Sequence, residues 1–335
     1  MAPKSRNADP DSESPSLTLG LFGAAGSLGQ QVLIACEGEG IRIETLVPAG
    51  FSESLSTEVK YRGTSATVQK VDEVDIASLD AAIVAMPPLD AKPVLEALKS
   101  TGIFTIDVSG ASDTDFPCVW PVQSYSDDMD MAGGTSIPGP IASTVAPVLR
   151  SLSAKGAIES VHVVALHSAA SQGKDGPKRL SSQTLDLLNF RIPSAVENDG
   201  LLAFNVLPCA TQFAQGARGR AQREIAQLTG FVGGEDITVQ SLRVPVFAGL
   251  SCALRVRFKE ALPVGDESKA ESVAEIALRG PFAGLRESLD ADSIHVSAIE
   301  QPDTRTITCV CFADPTVRTA NAIGRLLHCF VQEGL

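Results

Sequence analysis

The residues best placed for chemistry are three glycines. Gly23-x-x-Gly26-x-x-Gly29 follows a short apolar run, Leu17–Phe22, and opens a helical pattern, Gln30–Glu37. In that setting glycines let a pyrophosphate approach a helix N-terminus, where unpaired N–H groups and the helix dipole favour an anion. The same glycines also suit a tight turn with close helix–strand packing and no ligand. A dinucleotide needs a second contact after the next strand, and Val47-Pro48-Ala49-Gly50-Phe51 offers neither an acid for a ribose hydroxyl nor an arginine for a 2′-phosphate. The expectation is NADP or NAD held weakly, or lost, with Gly23, Gly26, Ser27, Leu28 and Gly29 as the cofactor-binding residues.

Other reactive side chains are scattered. The seven cysteines (Cys36, Cys118, Cys209, Cys252, Cys309, Cys311, Cys329) include no C-x-x-C, and with four histidines no zinc-ligand spacing appears. They read as buried free thiols in a reducing cytoplasm. Cys309 and Cys311 would share one face of a strand.

Positioning falls to two textures. In the first half strands (Leu17–Phe22, Ile41–Val47, Ala81–Ala85, Phe104–Val108) alternate with helices, one capped by Asp90 and ended by Gly102, which implies right-handed crossovers and a largely parallel sheet. After a helix over Ile141–Ser153, strands are expected at Ser160–His167, Ile237–Arg243, Cys252–Phe258, His295–Glu300 and Arg305–Phe312. Helical patterns lie at Lys178–Leu188, Ala217–Leu228, Ser268–Arg279 and Thr316–Val331. Leu254, Val256 and Phe258 share one strand face, and Arg255 and Arg257 the other. The fold class is α/β: a Rossmann-like dinucleotide-binding domain over 17–148, an α+β domain over 149–314, and a last helix over 315–335. One face of the second sheet lacks helices to cover it, as a dimer surface would. With 27 Lys and Arg against 40 Asp and Glu, a net charge of −13 disfavours nucleic acid and anionic membranes. No apolar run reaches the ~18–20 residues of a membrane span. Residues 1–16 are polar, with no signal-peptide core, and read as a disordered leader.

The motifs Gly23–Gly29, Asp107-Val-Ser109, Gly139–Thr144, Ala203–Pro208, Arg243-Val-Pro-Val-Phe247 and Val317–Ala322 resemble those of the aspartate-semialdehyde dehydrogenases, in order and spacing, from about Leu17 onward. The stretches Ser168–Lys174 and Leu201–Pro208 look closest to the family's divergent Usg-type paralogues, which lack its cysteine. The resemblance implies an NADP-binding domain, a substrate and dimerisation domain, and a last helix returning to the first domain. It also implies a chemistry. A cysteine thiolate attacks the aldehyde, the adduct yields hydride to NADP, and phosphate releases the thioester as an acyl phosphate. A histidine moves protons and an arginine holds the substrate carboxylate.

The matching positions depart from that chemistry. The family's N-P-N-C-S-T becomes Gly139-Pro-Ile-Ala142-Ser-Thr144, which puts Ala142 at the nucleophile position. Ser143 remains beside it without a motif to mark its base. The family's R-V-P-V-x-x-G-H-S becomes Arg243-Val-Pro-Val-Phe-Ala-Gly-Leu250-Ser251, with Leu250 at the base. Arg243 is either a carboxylate binder or an ordinary ion-pair partner. Met86-Pro87-Pro88-Leu89 stands where the family has A-G-G-S beside the cofactor, and prolines lack the N–H such a loop uses. The phosphate-binding stretch is shortened to Ser109–Asp113, the glutamine loop corresponds to His167–Gly173, and the acid pair of a substrate helix falls near Ala217-Arg218. His167 is the nearest spare histidine. The chain is read as a catalytically inactive relative with a dimer-forming or binding role. The alternative is an NAD(P)-dependent oxidoreductase whose substrate needs no thioester. A homodimer is expected, with a mixed dimer with an active paralogue as its variant.

Overall fold

The computed structural model describes residues 17–51, 54–111, 116–120, 133–193, 200–209, 211–231, 236–263 and 275–333. The leader expected over 1–16 lies outside them. So do the last residues of the Ser109–Asp113 stretch and most of the helix expected over Ser268–Arg279.

The first sheet has the order β5-β2-β1-β6-β7-β8, with every pairing parallel. Its strands are β1 (Leu17–Phe22), β2 (Ile43–Gly50), a short β5 (Gln69–Lys70), β6 (Ala81–Val84), β7 (Phe104–Asp107) and β8 (Gly134–Ser136). Strands such as Ala81-Ala-Ile-Val84 are buried throughout, as a sheet covered on both faces requires. The order reverses at β1, so the crevice outside the carboxyl ends of β1 and β6 is the natural ligand position. Helices α1 (Ser27–Gly38) and α2 (Pro88–Thr101) make the crossovers. Asp90, expected as a cap, lies inside the first turn of α2. The helix begins at Pro88, whose fixed φ suits that position and whose missing N–H leaves nothing unpaired. A hairpin of β3 (Glu58–Tyr61) and β4 (Thr64–Thr67) forms its own two-stranded sheet, buries Val59 and Tyr61 in the first core, and is turned by Arg62 and Gly63 at φ 46° and 81°. The sequence reading passed over it.

The second sheet has the order β10-β11-β9-β12-β15-β14-β13. It is built from β9 (Ile158–His167), β10 (Leu207–Pro208), β11 (Ile237–Arg243), β12 (Leu250–Phe258), β13 (Ile276–Leu278), β14 (Ile294–Asp303) and β15 (Thr306–Ala313). Ile276–Leu278, expected as the end of a helix, is an edge strand paired in parallel with Ile294–Val296. Three apolar residues fit either period, and the open edge of β14 decides between them. Helices α3 (Pro140–Ser153) and α5 (Thr211–Thr229) cover one face, where Val145, Leu149 and Ile225 pack on Val163, Cys252 and Leu254. The opposite face carries Val164, Leu166, Ala253, Val310 and Phe312, each only half-buried. Helix α4 (Asp175–Leu188) stands apart, against the 201–207 segment.

The last helix, α6 (Pro315–Glu333), leaves the second sheet and packs on α1 in the core of the first. Asp314 starts it by accepting the N–H groups of Thr316 and Val317 at 3.0 and 3.2 Å. Phe330 stacks on Phe104 with ring centroids 4.3 Å apart. One turn into α6, Arg318 is buried to 1% exposure. Its guanidinium donates to Glu275 Oε2 at 2.8 Å, to Ser143 O at 3.4 Å and to Asp292 O, and lies 5.2 Å from the Trp120 ring centroid. Trp120 Nε1 donates to the same Glu275 oxygen at 2.8 Å. Breaking such a pair by removing one partner leaves a buried charge uncompensated, at a cost of about 3–5 kcal/mol. Arg318→Ala should therefore lose that much in urea unfolding. A loss below about 1 kcal/mol, the scale of an exposed pair, would rule out a structural role for the ion pair.

Candidate functional site

The candidate site lies where the carboxyl ends of β1, β6, β7 and β8 meet the N-termini of α1 and α3. In the first turn Gly23 has φ +93°, and a Cβ there would sit 2.3 Å from Ala85 O. At Gly29 a Cβ would meet Gly23 O at 2.6 Å and Ala24 Cα at 2.8 Å. The fold itself demands both glycines. Gly26 differs. Its φ of −73° is ordinary, and an added Cβ would meet only Gly23 O, at 3.2 Å. Gly26 and Ser27 are exposed and Leu28 half-buried, and α1 has neither a side-chain cap nor an acid in its first turn. That bare helix end suits a pyrophosphate.

The rest of the crevice is poor in donors. β2 ends in Gly50 and half-exposed Phe51, and α2 opens on Pro87 and Pro88. At the end of β7 the buried Asp107 accepts the Ser109 N–H at 2.7 Å and its hydroxyl at 2.6 Å.

At the centre, Ala142 occupies the first turn of α3 with no exposed surface, and Leu250, at the start of β12, joins the same core. The Ser143 hydroxyl turns back to donate to Pro140 O at 3.1 Å, so it is tied to its own helix. The mouth of α3 is closed by a carboxylate: Glu224 Oε2 accepts the Gly139 N–H at 2.8 Å. Arg220, one turn back on α5, donates through Nε to Glu224 Oε1 at 2.6 Å. Its Nη1 and Nη2 donate to Ser109 O and Ile137 O at 3.0 and 3.1 Å. Gly110, at φ +74°, makes room, since a Cβ there would overlap the guanidinium at 1.9 Å. The sequence reading missed this cluster. The Arg220–Glu224 spacing of four on one helix was its available signal. Ala217 and Arg218 fall in α5, their side chains outside the described ones.

Arg243, His167 and Leu250 stand in one row across β11, β9 and β12, paired in register. His167 Nε2 lies 3.4 Å from Ser241 Oγ, and burial lowers its pKa, so the ring is neutral at pH 7. The seven cysteines form no disulfide among the described residues. Cys118, near Ser136, Glu224 and Arg220, is pushed up to about 12, chiefly by burial, and Cys36 and Cys252 are likewise raised to about 12. Each stays a thiol, the unreactive form. No group of three or more metal-ligating side chains forms among the described residues. No helix among them is long and apolar enough to cross a membrane.

These two sheets and their connection define a Rossmann-like dinucleotide-binding domain joined to a dimerisation domain. The semialdehyde dehydrogenase dimerisation domain matches residues 149–317, half of the chain, and the chain belongs to that family. An aspartate-semialdehyde dehydrogenase of Legionella pneumophila is 26% identical over 260 residues, spanning 76% of this chain and 75% of that protein. A USG-1 protein homolog of Pseudomonas aeruginosa is 26% identical over 256 residues, 74% and 75% of the two chains. Aspartate semialdehyde dehydrogenase II of Vibrio cholerae, solved with ASA, superposes with a TM-score of 0.84 over 96% of this chain and 100% of its own, at 20% identity. The Candida albicans enzyme, solved with NADP, gives 0.68 over 95% and 100% at 15% identity. At such identities the likeness speaks to the fold alone.

The half-buried His167 makes stability depend on pH. With its folded pKa below the ordinary 6.5, His167 is protonated first in the unfolded chain. Its contribution is whole above that value and drains away as pH falls through the folded pKa. His295 is pushed the same way by burial and by Arg279. Urea midpoints at pH 7.5 and 5 should differ less in His167→Gln than in the wild type. An equal difference would place His167 in water.

Proposed function

We propose that this chain is a dimer-forming member of the family that has lost the thioester chemistry and acts through binding and assembly. The observation that carries the reading is the Glu224 carboxylate on the Gly139 N–H, beside a core that holds Ala142 and Leu250. Where a thiolate and an incoming anion would use the N-terminus of α3, that end is occupied by a carboxylate neutralised by Arg220. Alanine and leucine supply no nucleophile and no proton acceptor. Arg243, in register beside neutral His167, matches the family's carboxylate-binding position. The half-buried outer face of the second sheet is the surface we assign to a second copy, by an isologous two-fold contact. That contact needs shape and apolar area, not the missing catalytic groups.

One observation favours a second reading, an oxidoreductase whose substrate needs no thioester. Gly26 is not demanded by its own backbone as Gly23 is, and a side chain there would stand over the mouth of α1. The turn fits the pyrophosphate of NADP or NAD, held by N–H groups of Ser27 and Leu28. Bound there, such a cofactor would supply hydride transfer.

Loss of both nucleophile and base removes on the order of 10⁶ in kcat, by analogy with hydrolase knockouts. The purified protein should show no phosphate-dependent oxidation of aspartate semialdehyde above background. Turnover of ~1 per second, an ordinary enzyme rate, would end the non-catalytic reading. The double substitution Ala142→Cys, Leu250→His should stay inactive, because Glu224 still occupies the mouth of α3 and Pro87-Pro88 still lack donors.

In calorimetry NADP and NAD should bind weakly, with little preference between them, since nothing after β2 recognises a 2′-phosphate. Sub-micromolar NADP binding would show that the ribose pocket has been misplaced.

A further inference from the structure

We propose that the 279–289 loop is an acid-released clasp, latched onto β14 by the hydrogen bond between Arg279 and His295. At neutral pH the loop is closed over one face of β14, and protonation of the His295 ring unlatches it.

The latch admits one protonation state. Arg279 Nη2 lies 3.2 Å from His295 Nε2. A guanidinium carries donors and no acceptor, so Arg279 donates and Nε2 is the bare nitrogen of a neutral ring. The ring proton is therefore on Nδ1, which is buried and has no hydrogen-bond partner among the described residues. His295 is 2% exposed, on β14 between its in-register neighbours Ala277 of β13 and Phe312 of β15.

A second proton would go onto Nε2. The bond to Arg279 would be lost, N–H would face N–H, and two cations would stand side by side away from water. The charged groups that reach the ring are Arg279, on the continuation of β13, and Glu287 of the loop, while β15 presents Phe312. Glu287 is exposed and already accepts the Gly284 N–H at 3.0 Å, which makes it a poor counterion. Burial and Arg279 accordingly hold the ring below the ordinary 6.5.

The rest of the loop is lightly held. The Arg279 N–H donates to Val296 O at 2.8 Å, and the Ser297 hydroxyl, on the same face of β14 as His295, donates to Ala283 O at 3.4 Å. Pro281, Phe282 and Arg286 face water. The apolar hold is Leu285 and Leu289 against Gly249, where a Cβ would meet their side chains at 2.6 and 3.0 Å. Gly249 immediately precedes Leu250, which stands in the row with His167 and Arg243. The clasp thus braces the strand end that opens onto the candidate site. A segment with so few buried contacts opens locally, without unfolding the core.

Opening puts His295 in water, where it titrates near its ordinary value, so the open form takes up a proton before the closed one. Above pH 6.5 the closure is whole. As pH falls from there toward the closed-form pKa, opening grows easier by up to about tenfold per pH unit.

Hydrogen exchange read by mass spectrometry tests this, with protection factors that divide out the intrinsic effect of pH. Between pH 7.5 and 5.0 protection over 279–289 is expected to fall about tenfold, and that over β12 to fall less. His295→Gln keeps an acceptor for Arg279 but does not titrate, so its loop should be equally protected at both values. His167→Gln should keep the wild-type fall, and Arg279→Met should lower loop protection already at pH 7.5. A wild-type loop that does not respond, a fall shared equally by β12, or an equal fall in His295→Gln overturns the inference. Should the variant at 295 fail to fold, the wild-type ring decides: nitrogen-15 NMR at pH 7.5 should show His295 with Nδ1 protonated and Nε2 bare, and an Nε2–H ring overturns the latch.

Discussion

The ion pair between Arg318 and Glu275 is the contact on which the arrangement of this molecule depends. It joins four stretches far apart in sequence: the start of α6, the approach to β13, the Trp120 segment and, through Ser143 O, the helix that carries Ala142. A buried guanidinium and its largely covered carboxylate gain little net energy over an apolar filling. Their effect is geometric. A planar guanidinium with directed donors fixes where α6 departs from the second sheet, and α6 then lies along α1 in the first sheet's core. Gly324 lets the two helices approach, since a Cβ there would already be 3.3 Å from Ala35 C. The two sheets are thus joined by a helix whose beginning is set by charge and whose length is set by packing.

The same tools fill the candidate site. A catalytic crevice keeps its donors unsatisfied until a ligand arrives; at the mouth of α3 they are satisfied internally, while the mouth of α1 stays bare. Arg220 spends its directed donors on two backbone carbonyls and one carboxylate, and that carboxylate returns to a helix N-terminus. Each group is paired at ordinary hydrogen-bond length, which makes a well-formed structural cluster from the parts of an anion site.

Much of the fold was legible from its apolar runs and periods. Strands such as Ala81–Val84 and Ile237–Arg243, and the amphipathic last helix, announce themselves by burial pattern. Ile276–Leu278 did not, because three apolar residues fit a helix end as well as a strand and a neighbour's open edge made the choice. The hairpin over 58–67 was hidden by a turn with arginine, not asparagine, at its first left-handed position. In the site, what was legible was what a motif lacks: Ala142 and Leu250 are visible by alignment of residue types. Arg220 and Glu224 were not, because their partners are backbone atoms of Ser109, Ile137 and Gly139, and a carbonyl leaves no trace in a sequence.

Gly110 carries a consequence for how such a chain can change. Its left-handed backbone and missing side chain admit the Arg220 guanidinium, and any larger residue there would expel it. Replacing Arg220 first would strand two carbonyls and a half-buried carboxylate; replacing Glu224 first would strand the guanidinium and the Gly139 N–H. Each single step leaves a desolvated polar group unpaired, at about 1–3 kcal/mol, and only the joint change escapes. The cluster therefore works as a ratchet. Any path that opens this cluster one residue at a time passes through a less stable intermediate.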